Sequence, residues 1–349
     1  MAGKDEFENT SHTGNDTGDE ATRIASAPGF SSKPPIPAPV ESGRQSTIPP
    51  GRILNHTYRV DALLARGGMG EVYRATHTDM GTEHAVKVIL PELASDPKIL
   101  DMFRREAESL RKVRDDAVVA YDGMFRDEDG RLYLVMEFVS GPSLSDTIRE
   151  RRLTAAEVMQ LRNRLAAGLG AAHDKGTVHR DISPDNIILP GGGLEHAKII
   201  DFGIAKLTDP SAATIIGDDF AGKYSYVSPE QLGMFGGKVD ARSDIYSLGL
   251  VLAAAAIGEP LDMGMSPISV VEARQAVPDL GRVPPELVPA LSAMLQPNPD
   301  DRPQSMFELI EGGGRAALSA APPHASAKPE GRPPQRSRAP LYAGAAAVI

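Results

Sequence analysis

The chain has 349 residues, a net charge of −10 and no cysteine. With 41% hydrophobic and 24% charged residues it has the mix of a globular protein, and its length suits two average domains or one two-lobed unit of about 250 residues with tails. The missing cysteines exclude disulfides, thiolate metal sites and thiol nucleophiles, in keeping with a reducing cytoplasm; the acidic balance speaks against nucleic-acid binding, which needs a concentrated basic face.

Residues 1–50 are rich in Ser, Thr, Gly, Pro and acidic side chains, and lack the apolar periodicity that could offset the entropy of ordering them; they are predicted to be disordered. The polar, acidic start MAGKDEFENTSHTG does not read as a secretory signal, which needs an apolar core. Between 58 and 90, and again between 117 and 139, short β-branched and aromatic runs such as HAVKVIL and RLYLVMEFV alternate with Gly and Asp turns, the pattern of strands. From about 97 to 113, Phe103, Ala107 and Leu110 mark one face of a helix, with Asp96 as its cap and Pro97 as its first residue.

From Leu153 the pattern turns helical. Thr154 and Glu157 form a T-x-x-E capping box, Val158, Leu161, Leu165, Leu169 and Ala172 follow at helical spacing, and Gly176 ends the run. The run IYSLGLVLAAAAIG, near 245–258, has no polar face, so its place is the middle of a lobe. A basic, proline-rich stretch over 312–340, with Lys328, Arg332, Arg336 and Arg338, reads as an extended linker. Residues 341–349, LYAGAAAVI, are apolar but too short to cross a bilayer, where about 20 residues are needed. They have two readings: the start of a membrane span that anchors a cytoplasmic domain at the inner membrane, or an alanine-rich frayed tail.

Within this frame, three groups of residues carry chemistry. In ARGGMGEVYRA, Gly67, Gly68 and Gly70 form a turn between a strand ending near Ala65 and one starting at Val72; without side chains, backbone N–H groups there can approach phosphate oxygens, although a plain hairpin turn reads the same way. Lys87 follows inside AVKVIL, where a charge on an apolar strand needs a partner. Glu106, beside the apolar stripe of the 97–113 helix, is the candidate, with Arg105 and Arg111 as its competing local partners. The third group decides the reading: HRDISPDN at 179–186 and IIDFG at 199–203 set Asp181, Asn186 and Asp201 on two adjoining loops. Asn186 and Asp201 are hard oxygen donors suited to magnesium, and Asp181 is left to orient a hydroxyl and accept its proton.

In order and spacing these motifs resemble the protein kinase family, most closely the eukaryotic-like (Hanks-type) serine/threonine kinases of bacteria, over about Tyr58 to Ile310. The resemblance implies an α+β, bilobal protein kinase fold over 51–311. A small, mainly β lobe with one helix would occupy about 58–139 and a larger, mainly α lobe about 140–310. It implies an enzyme that transfers the γ-phosphoryl group of ATP, with Mg²⁺, to serine or threonine hydroxyls of protein substrates and of itself. Ala65, Arg66, Gly67, Gly68, Met69, Gly70 and Val72 match the loop over the nucleotide, and Ala85 and Ile188 belong to the same nucleotide-binding set. Lys87 matches the lysine on the α and β phosphates and Glu106 its helix partner. Met136 stands at the gatekeeper position, Glu137 and Val139 at the hinge whose backbone meets the adenine edge. Asp181 matches the catalytic base, Asn186 and Asp201 the metal ligands, Phe202 and Gly203 the switch that follows.

The resemblance further implies that Glu230, in SPE, pairs with Arg302, and that Asp244 braces the catalytic loop from a buried helix. Arg180 would receive a phosphate carried by Thr208, Ser211 or Thr214. Related kinases also form homodimers through the small lobe, an arrangement expected here from the resemblance alone.

Three positions depart from the family pattern. Ala65 occupies the first glycine position of the loop. Ser183 stands where these kinases carry a lysine that touches the transferring phosphate, and Lys223, in GKYSYVSPE, stands where they carry a threonine. The expectation is that Lys223 supplies from the opposite wall the charge that Ser183 lacks, as a second catalytic pair beside Asp181 and Lys87. The competing reading is a pseudokinase, a nucleotide-binding scaffold that signals by shape. A small-molecule phosphotransferase is disfavoured by the activation segment.

Overall fold

A computed structural model describes residues 48–67, 70–89, 97–127, 130–202 and 224–311; the side chains of residues 67, 97–100, 102, 103, 106 and 311 fall outside that description. The first lobe is an antiparallel sheet of six strands: β1 (Ile53–Leu54), β2 (Tyr58–Gly67), β3 (Gly70–His77), β4 (Glu83–Ile89), β5 (Tyr121–Arg126) and β6 (Leu132–Glu137). Their spatial order is β1-β2-β3-β4-β6-β5, so each strand follows its predecessor except where the chain leaves β4 for the helix α1 (Pro97–Leu110).

The alternation of β4 sorts the sheet into two faces. Val86 and Val88 pack outward with Tyr73, Tyr133 and Val135, under Ile48 and Leu54. Ala85 and Ile89 point inward with Leu134 and Met136, toward Ala107 and Leu110 of α1 and the core of the second lobe. Ile48, predicted to belong to a disordered stretch, is buried, and its N–H donates to the Tyr73 hydroxyl at 3.2 Å. An isoleucine ahead of the first strand is the side chain that closes an otherwise open apolar face.

The second lobe is helical: α2 (Leu144–Glu150), α3 (Ala155–His173), α4 (Ala241–Ile257), α5 (Pro267–Glu272), α6 (Val288–Met294) and α7 (Met306–Glu311). Thr154 caps α3 through the Glu157 N–H while Glu157 returns to the Thr154 N–H, the reciprocal box expected from the sequence. Val158, Leu161, Leu165, Leu169 and Ala172 are all buried. Every residue of α4 from Ser243 to Ile257 is buried, as a helix without a polar face requires, and the left-handed Gly258 (φ 85°) ends it.

A two-stranded ribbon, β7 (Ile187–Ile188) with β8 (Lys198–Ile199), carries the two motif loops. It is fastened to the segment entering β5: the Ile199 N–H donates to Ala117 at 2.7 Å and the Val119 N–H to Ile199 at 2.9 Å. Among the described residues, no helix is long and apolar enough to cross a membrane. Most of the 1–50 tail, the 312–340 stretch and the 341–349 ending lie outside the described residues.

Candidate active site

Strand register places the small lobe's share of the site. Lys87 pairs with Val72 on one side and Leu134 on the other, and Ala85 pairs with Met136. Cross-strand partners share a face, so Val72, Ala85, Lys87 and Met136 all look toward the second lobe. Ala65 joins them as the partner of Val72. Val139, just past β6, packs on the same core, and Ile188 lies half-buried on β7, paired with Lys198.

Arg66 does not join this face. Its guanidinium meets Glu71 at 2.7 Å on the outer side of the sheet, where Glu71 also accepts from the Tyr73 hydroxyl. That pair carries the strands farther than the sequence suggests, to Gly67 and Gly70 rather than Ala65 and Val72. Gly70 is needed here for a reason other than phosphate approach: with φ at 145°, a Cβ would lie 1.8 Å from the Val88 carbonyl oxygen. Gly68 and Met69 fall outside the described residues, and of Gly67 only the backbone is described.

Lys87, nearly buried, finds its partner across the lobes, in contact with Asp201 Oδ1. The expected partner, Glu106, has a side chain outside the described residues. Asp201 and Arg180 are both non-glycine residues in the left-handed region, with φ of 54° and 64°. Such backbone persists only where its surroundings over-determine it.

The surroundings do so through buried polar groups. Asp244, on α4, accepts from the backbone N–H groups of His179 (2.7 Å) and Arg180 (2.9 Å) and from His173 Nε2 (2.8 Å). Burial by itself would raise the Asp244 carboxyl, but the His173 hydrogen bond and charge, with His179, hold it below the usual carboxylate range. His179 donates from Nε2 to the Ile200 carbonyl (3.0 Å) and accepts at Nδ1 from the Asp181 N–H (3.2 Å), an arrangement that needs a neutral ring. Burial lowers the His179 pKa and favours that neutral form.

Asn186 closes the short 3₁₀ turn Pro184–Asn186 and donates from Nδ2 to the Asp181 carbonyl at 2.8 Å, an orientation that leaves its amide oxygen for a ligand; with Asp201 it would make an oxygen-only set. An all-oxygen pair of this kind fits a hard divalent cation, the fit required of the implied metal. Ser183 precedes that turn without making a side-chain cap. Lys223, Gly203, Thr208, Ser211 and Thr214 lie outside the described residues.

Glu230 and Arg302 form a fully buried bidentate pair (2.8 and 3.0 Å), as the motif order implies. Three further residues of the site were not singled out in the sequence. Tyr121 packs edge-on against Phe202, which also lies against His179 with ring centroids 4.4 Å apart. Lys198 grips both oxygens of Glu137 (2.6 and 2.8 Å), fixing the end of β6 to β8. Gln231 donates to the Arg180 carbonyl at 2.8 Å. A lone lysine in the apolar run AKIID was the one legible signal among them.

A lysine on a sheet and an Asp-Asn-Asp set on two braced loops is an arrangement with known relatives. Residues 58–311 match the family described as protein kinase domain. The chain is 35% identical over 288 residues to a serine/threonine-protein kinase, pkn2, of Myxococcus xanthus, covering 79% of this chain and 34% of that protein. It is 36% identical over 267 residues to the serine/threonine-protein kinase PknB of Mycolicibacterium smegmatis, covering 73% of this chain and 42% of that one. Among solved structures it is similar to the kinase domain of Mycobacterium tuberculosis PknI, with a TM-score of 0.60 and 26% identity, over 78% of this chain and 100% of that domain. The chain thus spans well under half the length of the two curated relatives. By motif, by fold and by likeness to these relatives, it belongs to the protein kinase family, among the serine/threonine kinases of bacteria.

Proposed function

We propose that residues 51–311 form a catalytic domain that transfers the γ-phosphoryl group of ATP to serine and threonine hydroxyls of proteins, this chain included. Kinases of this family draw on ATP and a divalent metal in general; the oxygen-only pair of Asn186 and Asp201 favours Mg²⁺ here. When bound, that ion neutralises charge on the phosphates. Lys87 approaches the same phosphates from the small lobe, and Asp181 orients the acceptor hydroxyl and takes its proton. Asp244 and His179 keep the Asp181 loop in place, while Val72, Ala85, Met136, Val139 and Ile188 enclose the base.

One observation carries this reading: Lys87 and Asp201, 114 positions apart in sequence, meet between the lobes. Lys223 is part of the proposal as the cation that stands in for the lysine replaced by Ser183. The test is incorporation of ³²P from γ-labelled ATP with Mg²⁺ into the full chain and into casein. Wild type is expected to label both, and Asp201→Ala to lose the signal by about 10²-fold or more. Lys223→Thr should lower the rate, and Ser183→Lys should restore it in the double variant. A wild type that binds ATP without transferring phosphate would return the chain to the scaffold reading.

A further inference from the structure

Among the described residues, two guanidiniums lie buried in the large lobe, and they are held differently. Arg302 has the Glu230 carboxylate. Arg274, just past α5 and 0% exposed, forms no ion pair with a carboxylate among the described residues. Its partners are backbone carbonyls: Val227 on Nε at 2.7 Å, Met263 and Val270 on Nη1 at 3.0 and 2.8 Å, and Tyr224 on Nη2. Burial pulls the Arg274 pKa down, against a smaller upward pull from Tyr246. Taking such a charge from water costs several kcal/mol in general. The planar fork of five donors is the reason an arginine can occupy this place, since it gathers carbonyls from three separate stretches of chain.

What the fork gathers borders the reaction. Tyr224 and Val270 pack together, with Val227 and Leu232 beside them. Immediately downstream, Gln231 accepts from the Ser228 N–H (3.1 Å) and hydroxyl (3.0 Å) and donates to Arg180, next to Asp181. Tyr226 lies by the same loop: burial first, and then the Asp185 carboxylate, push its phenol pKa up. The stretch 224–227 is therefore a backbone wall fastened to Arg274 at the end of α5, and Gln231, four residues on, ties the same segment to the loop that carries Asp181. On the kinase reading, this segment abuts the Asp181 side of the site, through Gln231 and Arg180, and not the Lys87 side, so it bears on the acceptor hydroxyl rather than on ATP.

We infer that Arg274 is a positioning residue for the protein acceptor, fixing the 224–227 wall through its carbonyls. The inference rests on the kinase reading above and concerns affinity for the acceptor, not for the nucleotide. The experiment compares Arg274→Met and Arg274→Lys with wild type in the full chain, using casein as acceptor. Arg274→Met is expected to raise the casein KM about tenfold with the ATP KM within about twofold; Arg274→Lys, with a point charge in place of a fork, should fall between. Hydrogen exchange in both variants should accelerate in 224–232 by about tenfold, with α3 and α4 unchanged.

Parallel shifts in the casein and ATP constants, or exchange raised equally in α4, would make Arg274 a general stabiliser and overturn the inference. If Arg274→Met does not fold, the lysine variant carries the same comparison. If wild type transfers no phosphate, the kinase reading fails on its own, and the exchange pattern still decides whether Arg274 holds the wall.

Discussion

The two lobes position their functional groups by different physics. In the small lobe, Lys87, Val72, Ala85 and Met136 are aligned by register: each is one step in a hydrogen-bonded ladder, and the pleat decides which way it faces. In the large lobe the working residues sit on irregular backbone, with positive φ at Arg180 and Asp201, beyond the ends of the short β7–β8 ribbon. Buried charges hold them there: Asp244 accepts the loop's N–H groups, while Arg302 and Arg274 donate to carbonyls of the neighbouring segments. A sheet distributes the work of positioning over many weak bonds. A loop concentrates it in a few side chains whose loss leaves polar groups buried and unpaired.

If that contrast is right, the largest effect of a single change belongs to Asp244. Asp244→Ala strands the His179 and Arg180 N–H groups, each at about 1–3 kcal/mol, and frees His173. The expected outcome is a loss of about 2–6 kcal/mol in urea unfolding, together with loss of phosphoryl transfer. Asp244→Asn keeps one acceptor oxygen and should lose less. Activity retained in a destabilised Asp244→Ala would mean that the loop holds its shape without the brace, and the contrast between lobes would be wrong.

The corresponding probe of the small lobe is Gly70→Ala. The new Cβ meets the Val88 carbonyl oxygen at 1.8 Å, so β3 and β4 have to part at the hairpin end. About 1–3 kcal/mol is expected from that strain, with a raised ATP KM and an unchanged casein KM. The direction is opposite to that of Arg274→Met, and measuring both sorts nucleotide positioning by register from acceptor positioning by buried charge. Equal shifts of the two constants in both variants would erase the distinction.

How much of this was legible in the sequence follows the same division. Strand alternation in HAVKVIL and RLYLVMEFV reveals which residues share a face, because the period is local; the capping box at Thr154 is local too. The pairs Glu230 with Arg302 and Asp244 with the HRD loop span 72 and 64 or more positions, and no periodicity links them; they were legible only through resemblance. Arg274 in VVEARQAV looks like any charged residue at the end of a surface helix, since nothing local announces that the carbonyls of Tyr224, Val227 and Met263 converge on it. Ile48 escaped for the opposite reason: a single apolar residue in a polar stretch carries no period, yet it completes the outer face of the sheet.

The smallest expected effect comes from a charge that is only half-buried, and it sharpens the rule by its weakness. Glu157 accepts from Arg151 (3.0 and 2.8 Å) and from the Thr154 N–H (2.8 Å), and these bonds, Arg151 foremost, lower its carboxyl to about 2. In the unfolded chain the same group titrates near 4.5. The unfolded state therefore binds the extra proton first as pH falls, so the contribution of Glu157 is complete above pH 4.5, declines as pH drops toward about 2, and is absent below. Glu157→Gln should flatten this part of the stability profile while costing only about 0.5 kcal/mol at pH 7, because solvent screens the pair. Thr154→Ala should cost about 1 kcal/mol at any pH through the lost cap. Phosphoryl transfer at neutral pH is expected to be untouched in both, as the box holds a helix end and no loop of the site; a kinetic defect in either would show that positioning in this lobe reaches beyond its buried charges.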